Sequence, residues 1–291
     1  MTAGRAPGPR VAAVGGGHGL AASLRAVRRY ASEVTAVVAV ADDGGSSGRL
    51  REVIDQPPPG DLRTCLAALA GDDSLLARSL EHRFEAGELE GHALGNLLIA
   101  GLADSGGDFV AAVDEVARLV GAVGRVLPAT TEPVVLKAQA GGDAVEGQVA
   151  VSASTGISRV SLTPPDPPVT PGVVEAIEGA DQVVIGPGSL YTSVLAAVAV
   201  PGVRQALAAA GGRKVYVCNL AASEAETAGY TAADHVDALR AHGLDVAVVV
   251  CHEGGLSPDG IAGEVVVAPI ARPGGQAHDP ALLADVLVTL V

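Results

Sequence analysis

The chain has 291 residues, enough for one large domain or two small ones, and 48% are apolar, so a substantial core can form without disulfide or metal staples. Lys and Arg number 19 against 33 Asp and Glu; the formal charge of −14 repels polyanions and argues against nucleic acid or anionic membrane surfaces as partners. An anionic ligand must instead be held locally, by backbone N–H groups and a few placed arginines.

In chain order, a strand at residues 11–14 runs into Gly15-Gly16-Gly17-His18-Gly19, and Leu20, Leu24 and Val27 then mark one face of a helix ending near Tyr30. A second β-branched run at 34–40 completes a βαβ unit, which connection rules place in a parallel sheet; its continuous apolarity implies cover on both faces. Residues 61–120 read as a helical insertion, with helices at 62–70, 75–84, 94–103 and 109–120. Strand-like runs return at 125–127, 134–140, 145–151 and 159–162, ahead of a stiff Pro-rich connector at 164–168. Alternation then resumes: strand 183–185, a Gly-Pro-Gly-Ser turn, a helix from Leu190, strand 214–218, helix 232–242, strand 246–250, a short strand 264–267 and a closing helix 280–290. The expectation is one α/β domain over residues 1–291, Rossmann-like and doubly wound, with a mainly parallel sheet.

Cys65, Cys218 and Cys251 match no CxxC or zinc spacing and cannot all pair within one chain, so a reducing, cytoplasmic setting is expected. Residues 1–10 lack the apolar core of a signal peptide, and no apolar run approaches the ~20 residues needed to span a bilayer. The histidines include no HExxH or comparable pair that would support structural zinc.

Candidate chemistry sits in the glycine-rich turns. Gly17-His18-Gly19-Leu20-Ala21-Ala22 is a G-x-G-x-x-A variant of the dinucleotide fingerprint, with Gly16 just before it. Glycine lets backbone N–H groups approach a phosphate, and Asp42, at the end of the second strand, can accept ribose hydroxyls; a merely structural tight turn is the alternative. Ala41-Asp42-Asp43-Gly44-Gly45-Ser46-Ser47-Gly48-Arg49-Leu50-Arg51 reads as an anion-binding loop, its two arginines placed for bidentate phosphate contact and its carboxylates for ribose, a sugar hydroxyl or Mg²⁺. The other reading is a solvated polar loop. Asp61 is either an N-cap or a ligand contact, and Arg63 sits in a helical first turn where the dipole disfavours a cation, so an anion or carboxylate should lie nearby. Asn96 can serve a ligand or a buried backbone group. Gly186-Pro187-Gly188-Ser189 forms a second cradle, with Ser189 placed to cap the following helix, and Asn219 follows a strand at the sheet's carboxyl edge. Two cradles suit a diphosphate.

Residues 15–20, 41–51, 60–63, 91–96, 186–191 and 215–219, together with 124–128, 234–239 and 278–280, resemble in order and interval the YvcK-type gluconeogenesis factors of the CofD-like superfamily. The resemblance implies a Rossmann-like fold that binds UDP-sugars such as UDP-N-acetylglucosamine, sometimes a dinucleotide, and supports cell shape and wall synthesis during gluconeogenic growth. His18 stands where many members carry Thr. A homo-oligomer and an unidentified protein partner in envelope synthesis are expected with it. The competing function is a superfamily-type transferase moving a phospholactyl group from a nucleotide to an acceptor, with Asp42 or Asp43 on Mg²⁺. The scarcity of aromatic side chains argues against a flat flavin-like acceptor. A nicotinamide-dependent dehydrogenase is suggested by the βαβ unit alone, which is poor warrant for function.

Overall fold

The computed structural model describes residues 8–71, 74–222 and 224–291; the first seven residues of the segment read for a signal sequence lie outside them. Seven parallel strands form the main sheet: β1 (Arg10–Gly15), β2 (Glu33–Val38), β3 (Arg125–Pro128), β7 (Gln182–Ile185), β8 (Arg213–Val217), β9 (Val248–His252) and β10 (Glu264–Ala268). Their spatial order is β10-β9-β8-β7-β1-β2-β3, so the chain winds outward from β1 on one side and from β7 on the other. β1, β2 and β7 are almost wholly buried, as the unbroken apolar runs require of a sheet covered on both faces. Helix α1 (Gly17–Val27) packs against α3 (Gly60–Leu69) and the closing helix Pro280–Leu287, with α2 (Gly45–Val53) lying between β2 and α3 in sequence.

With so few aromatics, the core is built from Val, Ala and Leu, and small residues bring helix and strand close: Ala12, Ala13, Ala21 and Ala26 are all solvent-free. Tyr216 is the largest fully buried side chain, and its hydroxyl is satisfied by His235 Nδ1 at 2.8 Å. Among the described residues, no single helix is long and apolar enough to cross a membrane.

The insertion continues with α4 (Leu75–Leu80), α5 (Leu94–Gly106) and α6 (Phe109–Val120), the last two ending on left-handed glycines, Gly107 and Gly121. The helix predicted at 75–84 stops at Leu80. Phe84 there exchanges backbone hydrogen bonds with Gly91 and His92 and Arg83 bridges Ala93, so a tertiary pairing outcompetes further helix.

A second difference is larger. β4 (Val135–Ala140), β5 (Asp143–Glu146) and β6 (Ile157–Thr163) form their own antiparallel sheet in the order β5-β4-β6, whereas the sequence marked these runs as strand-like without separating a second sheet. The strand predicted at 145–151 ends at Glu146, because Gly147 adopts φ +96° and a short helix, Gln148–Ser152, begins on the Asp43 carboxylate.

Candidate functional site

The site starts where β1 ends. Gly16 is extended, Gly17 takes φ +58° as the first residue of α1, and the cap residue Gly16 brings no side chain to that helix, whose first turn also lacks an acid of its own. The amides at this N-terminus are drawn close to two other strand exits. A Cβ on Gly16 would fall 2.4 Å from Asp61 Oδ2, and one on Gly19 would fall 2.4 Å from the Pro187 carbonyl oxygen. Only glycine lets α1 start in contact with both α3 and the turn after β7. His18 is exposed between them and borders two neighbouring hollows.

The first hollow, of ≈ 230 Å³, opens at the ends of β1 and β2 and is bordered by His18, Asp42, Ser46, Asp61, Arg63 and Asn96 among others. The predicted loop at 41–51 is shorter than expected: helix starts at Gly45 with Gly44 as its cap residue, so Ser46, Ser47 and Arg49 are helical. Asp42 Oδ1 accepts the Gly44 N–H at 3.0 Å, and Ser47 is buried under Gly60. Asp61 is not an N-cap; it lies inside α3, whose cap position is Pro59, and its carboxylate accepts from the Gly17 amide. Burial, then the neighbouring Asp42 charge, pushes the Asp61 carboxyl up to about 7, against the opposing pull of Gly17 and Arg63.

The carboxylate anticipated beside Arg63 is Glu81, at 3.0 Å from Nη1. Arg63 is 4% exposed, donates a second bond to Thr64 Oγ1 at 3.1 Å, and keeps a buried Nε without a partner. Burial holds its guanidinium below the ordinary arginine range. Asn96, equally buried, donates to Ser46 Oγ at 3.1 Å, and Ser46 in turn meets His92 Nδ1 at 3.1 Å; Asn96 Oδ1 is left unpartnered. Two buried polar atoms without partners beside an open hollow mark it as a place where an added ligand gains hydrogen bonds. Thr64 and Arg83 also border it, and neither was singled out from sequence, since nothing in their local spacing signals a turn or cap.

The second hollow, of ≈ 410 Å³, lies at the ends of β7 and β8 and is bordered by His18, Gly19, Gly188, Asn219, Glu224 and His278 among others. Gly186 and Gly188 both take positive φ, and the Asn219 side-chain oxygen pins the turn by accepting the Gly188 N–H at 3.1 Å. Ser189 does not cap the helix after it. Its hydroxyl donates to Glu224 Oε1 at 3.0 Å, while its carbonyl accepts from Ser193 and Val194, the latter bond opening a wide π-turn at Leu190–Val194. Glu226 takes over the capping by accepting the Tyr191 N–H at 3.0 Å, and burial pushes its carboxyl up to about 7. His278, on the tail, approaches the Cys218 carbonyl at 3.2 Å, and burial drives its imidazole down to about 4. Glu224 and His278 were not among the predicted contacts, although His278 stands in a segment that carried the resemblance.

Two predicted contacts point elsewhere. Asp43 spends both carboxylate oxygens on the Gln148 and Val149 amides, each at 2.9 Å, so of the two carboxylates considered for Mg²⁺ this one is committed to the protein itself. Among the described residues, no group of three or more His, Cys, Asp or Glu side chains is arranged to hold a metal ion. Arg49 donates to the Glu90 carbonyl at 2.7 Å and tethers the loop before α5 to α2.

β1 and β7 are neighbours whose chains leave toward opposite sides, so the two hollows flank a topological switch point at the carboxyl ends of a doubly wound sheet. The class is thus a Rossmann-like α/β protein with paired hollows where such sheets take their ligands. The family described as "2-phospho-L-lactate transferase CofD" matches residues 11–266. A putative gluconeogenesis factor of Mycobacterium tuberculosis is 45% identical, covering 95% of this chain and 89% of that protein. The gluconeogenesis factor of Bacillus subtilis is 44% identical, covering 80% of this chain and 75% of that protein. The crystal structure of a UPF0052 family protein from Bacillus halodurans superposes with a TM-score of 0.91 at 36% identity, covering 98% of this chain and 100% of that one. The chain belongs to the YvcK-type gluconeogenesis factor family, within the CofD-like superfamily.

Proposed function

We propose that the protein is a cytoplasmic nucleotide-sugar sensor that takes a ligand of the UDP-N-acetylglucosamine kind across the two hollows and supports cell shape and wall synthesis under gluconeogenic growth. The carrying observation is the N-terminus of α1, which starts on glycines, has its first amide met by Asp61, and carries His18 on the border of both hollows. Backbone amides and helix dipole there attract a diphosphate in spite of the molecule's net negative charge. Arg63, and the unpartnered oxygen of Asn96, offer hydrogen bonds on one side; Asn219 and Glu224 border the other. The relatives named gluconeogenesis factors support the physiological setting. A phospholactyl-type transferase is not favoured, because Asp43, one of the two carboxylates considered for its metal, is taken up by the Gln148 and Val149 amides.

Calorimetric titration with UDP-N-acetylglucosamine is expected to show saturable binding, weakened at least tenfold by Gly17→Val, where a β-branched residue at φ +58° distorts the turn. Native mass spectrometry of freshly purified protein reads any retained nucleotide and the subunit count together. No binding of UDP, UDP-sugar or dinucleotide at millimolar concentration overturns the proposal.

A further inference from the structure

A third hollow, of ≈ 180 Å³, lies away from the strand exits, between the outer edge of the antiparallel sheet and two helices of the main body. β6 contributes Arg159, the helix Pro201–Ala209 contributes its first residue and Arg204, and His242 closes it from the end of the helix Ala232–Ala241. His242 is held in place twice: its Nδ1 meets the Ala238 carbonyl at 2.7 Å and its Nε2 accepts the Val160 N–H at 3.0 Å. That pairing makes the imidazole neutral and covers one amide of an edge strand. The cationic character of the hollow therefore comes from the two arginines.

Many arginines are paired with carboxylates, as Arg10–Asp181, Arg118–Glu115, Arg125–Asp114 and Arg213–Glu264, or are spent on carbonyls, as Arg49 and Arg51. Among the described residues, Arg159 and Arg204 form no side-chain hydrogen bond or ion pair, although acids outnumber cations 33 to 19. Asp166 borders the same hollow and is exposed, yet forms an ion pair with neither. Both arginines border the hollow beside the His242 ring, which burial and these two charges hold below its ordinary range. The nine-residue helix Pro201–Ala209 begins there with Pro at its first position and no side-chain cap from Val200, leaving the positive end of its dipole and the Gly202 and Val203 amides without a side-chain acceptor. Two arginines bordering one hollow at the start of a helix offer the usual protein chemistry for a phosphate.

We infer that this hollow, lined by Arg159, Arg204 and the N-terminus of the helix Pro201–Ala209, is a second anion site that takes the phosphate group of a small phosphorylated metabolite. It stands apart from the nucleotide-sugar reading and does not depend on it.

The test is a titration of the isotopically labelled full chain with inorganic phosphate at fixed ionic strength, followed by backbone amide NMR. Saturable shifts are expected at Gly202, Val203 and Arg204. Arg159→Gln and Arg204→Gln should each raise the midpoint by about tenfold, the loss of one charge-assisted contact, with Arg204→Lys recovering part of it. Arg118→Gln, at an exposed pair elsewhere, should leave the midpoint unchanged and the spectrum of each variant reports folding directly. Shifts that do not saturate, or a midpoint indifferent to both substitutions, overturn the site. So do changes at these amides that follow protein concentration instead of phosphate, which would assign the arginines to a contact between copies. Amides 17–19 report on the α1 site separately in the same spectra.

Discussion

Gly19 shows how a single hydrogen in place of a methyl sets the geometry of the site. A Cβ there would meet the Pro187 carbonyl oxygen at 2.4 Å and Gly188 Cα at 2.6 Å, both backbone, so neither can move aside cheaply. Gly19→Ala is expected to cost about 1–3 kcal/mol in urea unfolding, the range for overpacking a tight contact, and to weaken nucleotide-sugar binding along with it. Asp42 and Asp43 are adjacent in sequence yet do different work. Asp43→Ala removes two amide contacts at the start of the helix Gln148–Ser152, so it should cost about 1 kcal/mol, as for other lost N-caps, while leaving ligand affinity in place. A strong loss of affinity in this variant with stability unchanged would return Asp43 to the ligand.

At the scale of elements, the loop before α5 is held by Arg49, whose guanidinium reaches across from α2 to the Glu90 carbonyl. Arg49→Ala should accelerate amide hydrogen exchange in residues 84–91, with any loss of ligand affinity following that loosening. Affinity lost without a change in exchange would instead show that Arg49 touches the ligand. The antiparallel sheet is attached by similar means: Tyr191 and Tyr230, 2.9 Å apart at their hydroxyls, meet at the Ile157 carbonyl, and His242 covers Val160. A polar side chain from the main body thus satisfies an edge that would otherwise be open.

For the molecule as a whole, four buried titratable groups set opposing pH slopes. Glu226 and Asp61, pushed up from 4.5 and 3.8 to about 7, contribute stability that is complete below their unfolded values and is lost as pH rises toward 7. His235 and His278, driven from 6.5 down to about 4, contribute stability present above 6.5 and lost as pH falls toward 4. Between pH 4.5 and 6.5 the two pairs oppose each other and the wild-type dependence is expected to be shallow. Glu226→Gln, an isostere of the protonated acid, deletes one falling contribution. Its stability should therefore climb more steeply with pH, gaining roughly 1–3 kcal/mol over wild type by neutrality, as read from urea midpoints across the range.

Much of this architecture was legible in the residues themselves. Runs rich in Val and Ala at 11–14 and 34–40 named buried parallel strands, and Gly15 to Gly19 between strand and helix named the turn, because burial on two faces and positive φ leave direct marks on composition. Other features depended on partners distant in the chain. The helix from Gly45, the stop at Leu80 and the turn at Gly147 were decided by groups that only the fold brings near, and so were the choice of Asp43 as a cap and of Ser189 as a partner for Glu224. Local sequence determined where the glycine-bearing strand exits lie, since backbone conformation is a local property; tertiary structure decided which side chains gather at them, since a carboxylate or guanidinium goes to whichever opposing group the packing leaves within reach.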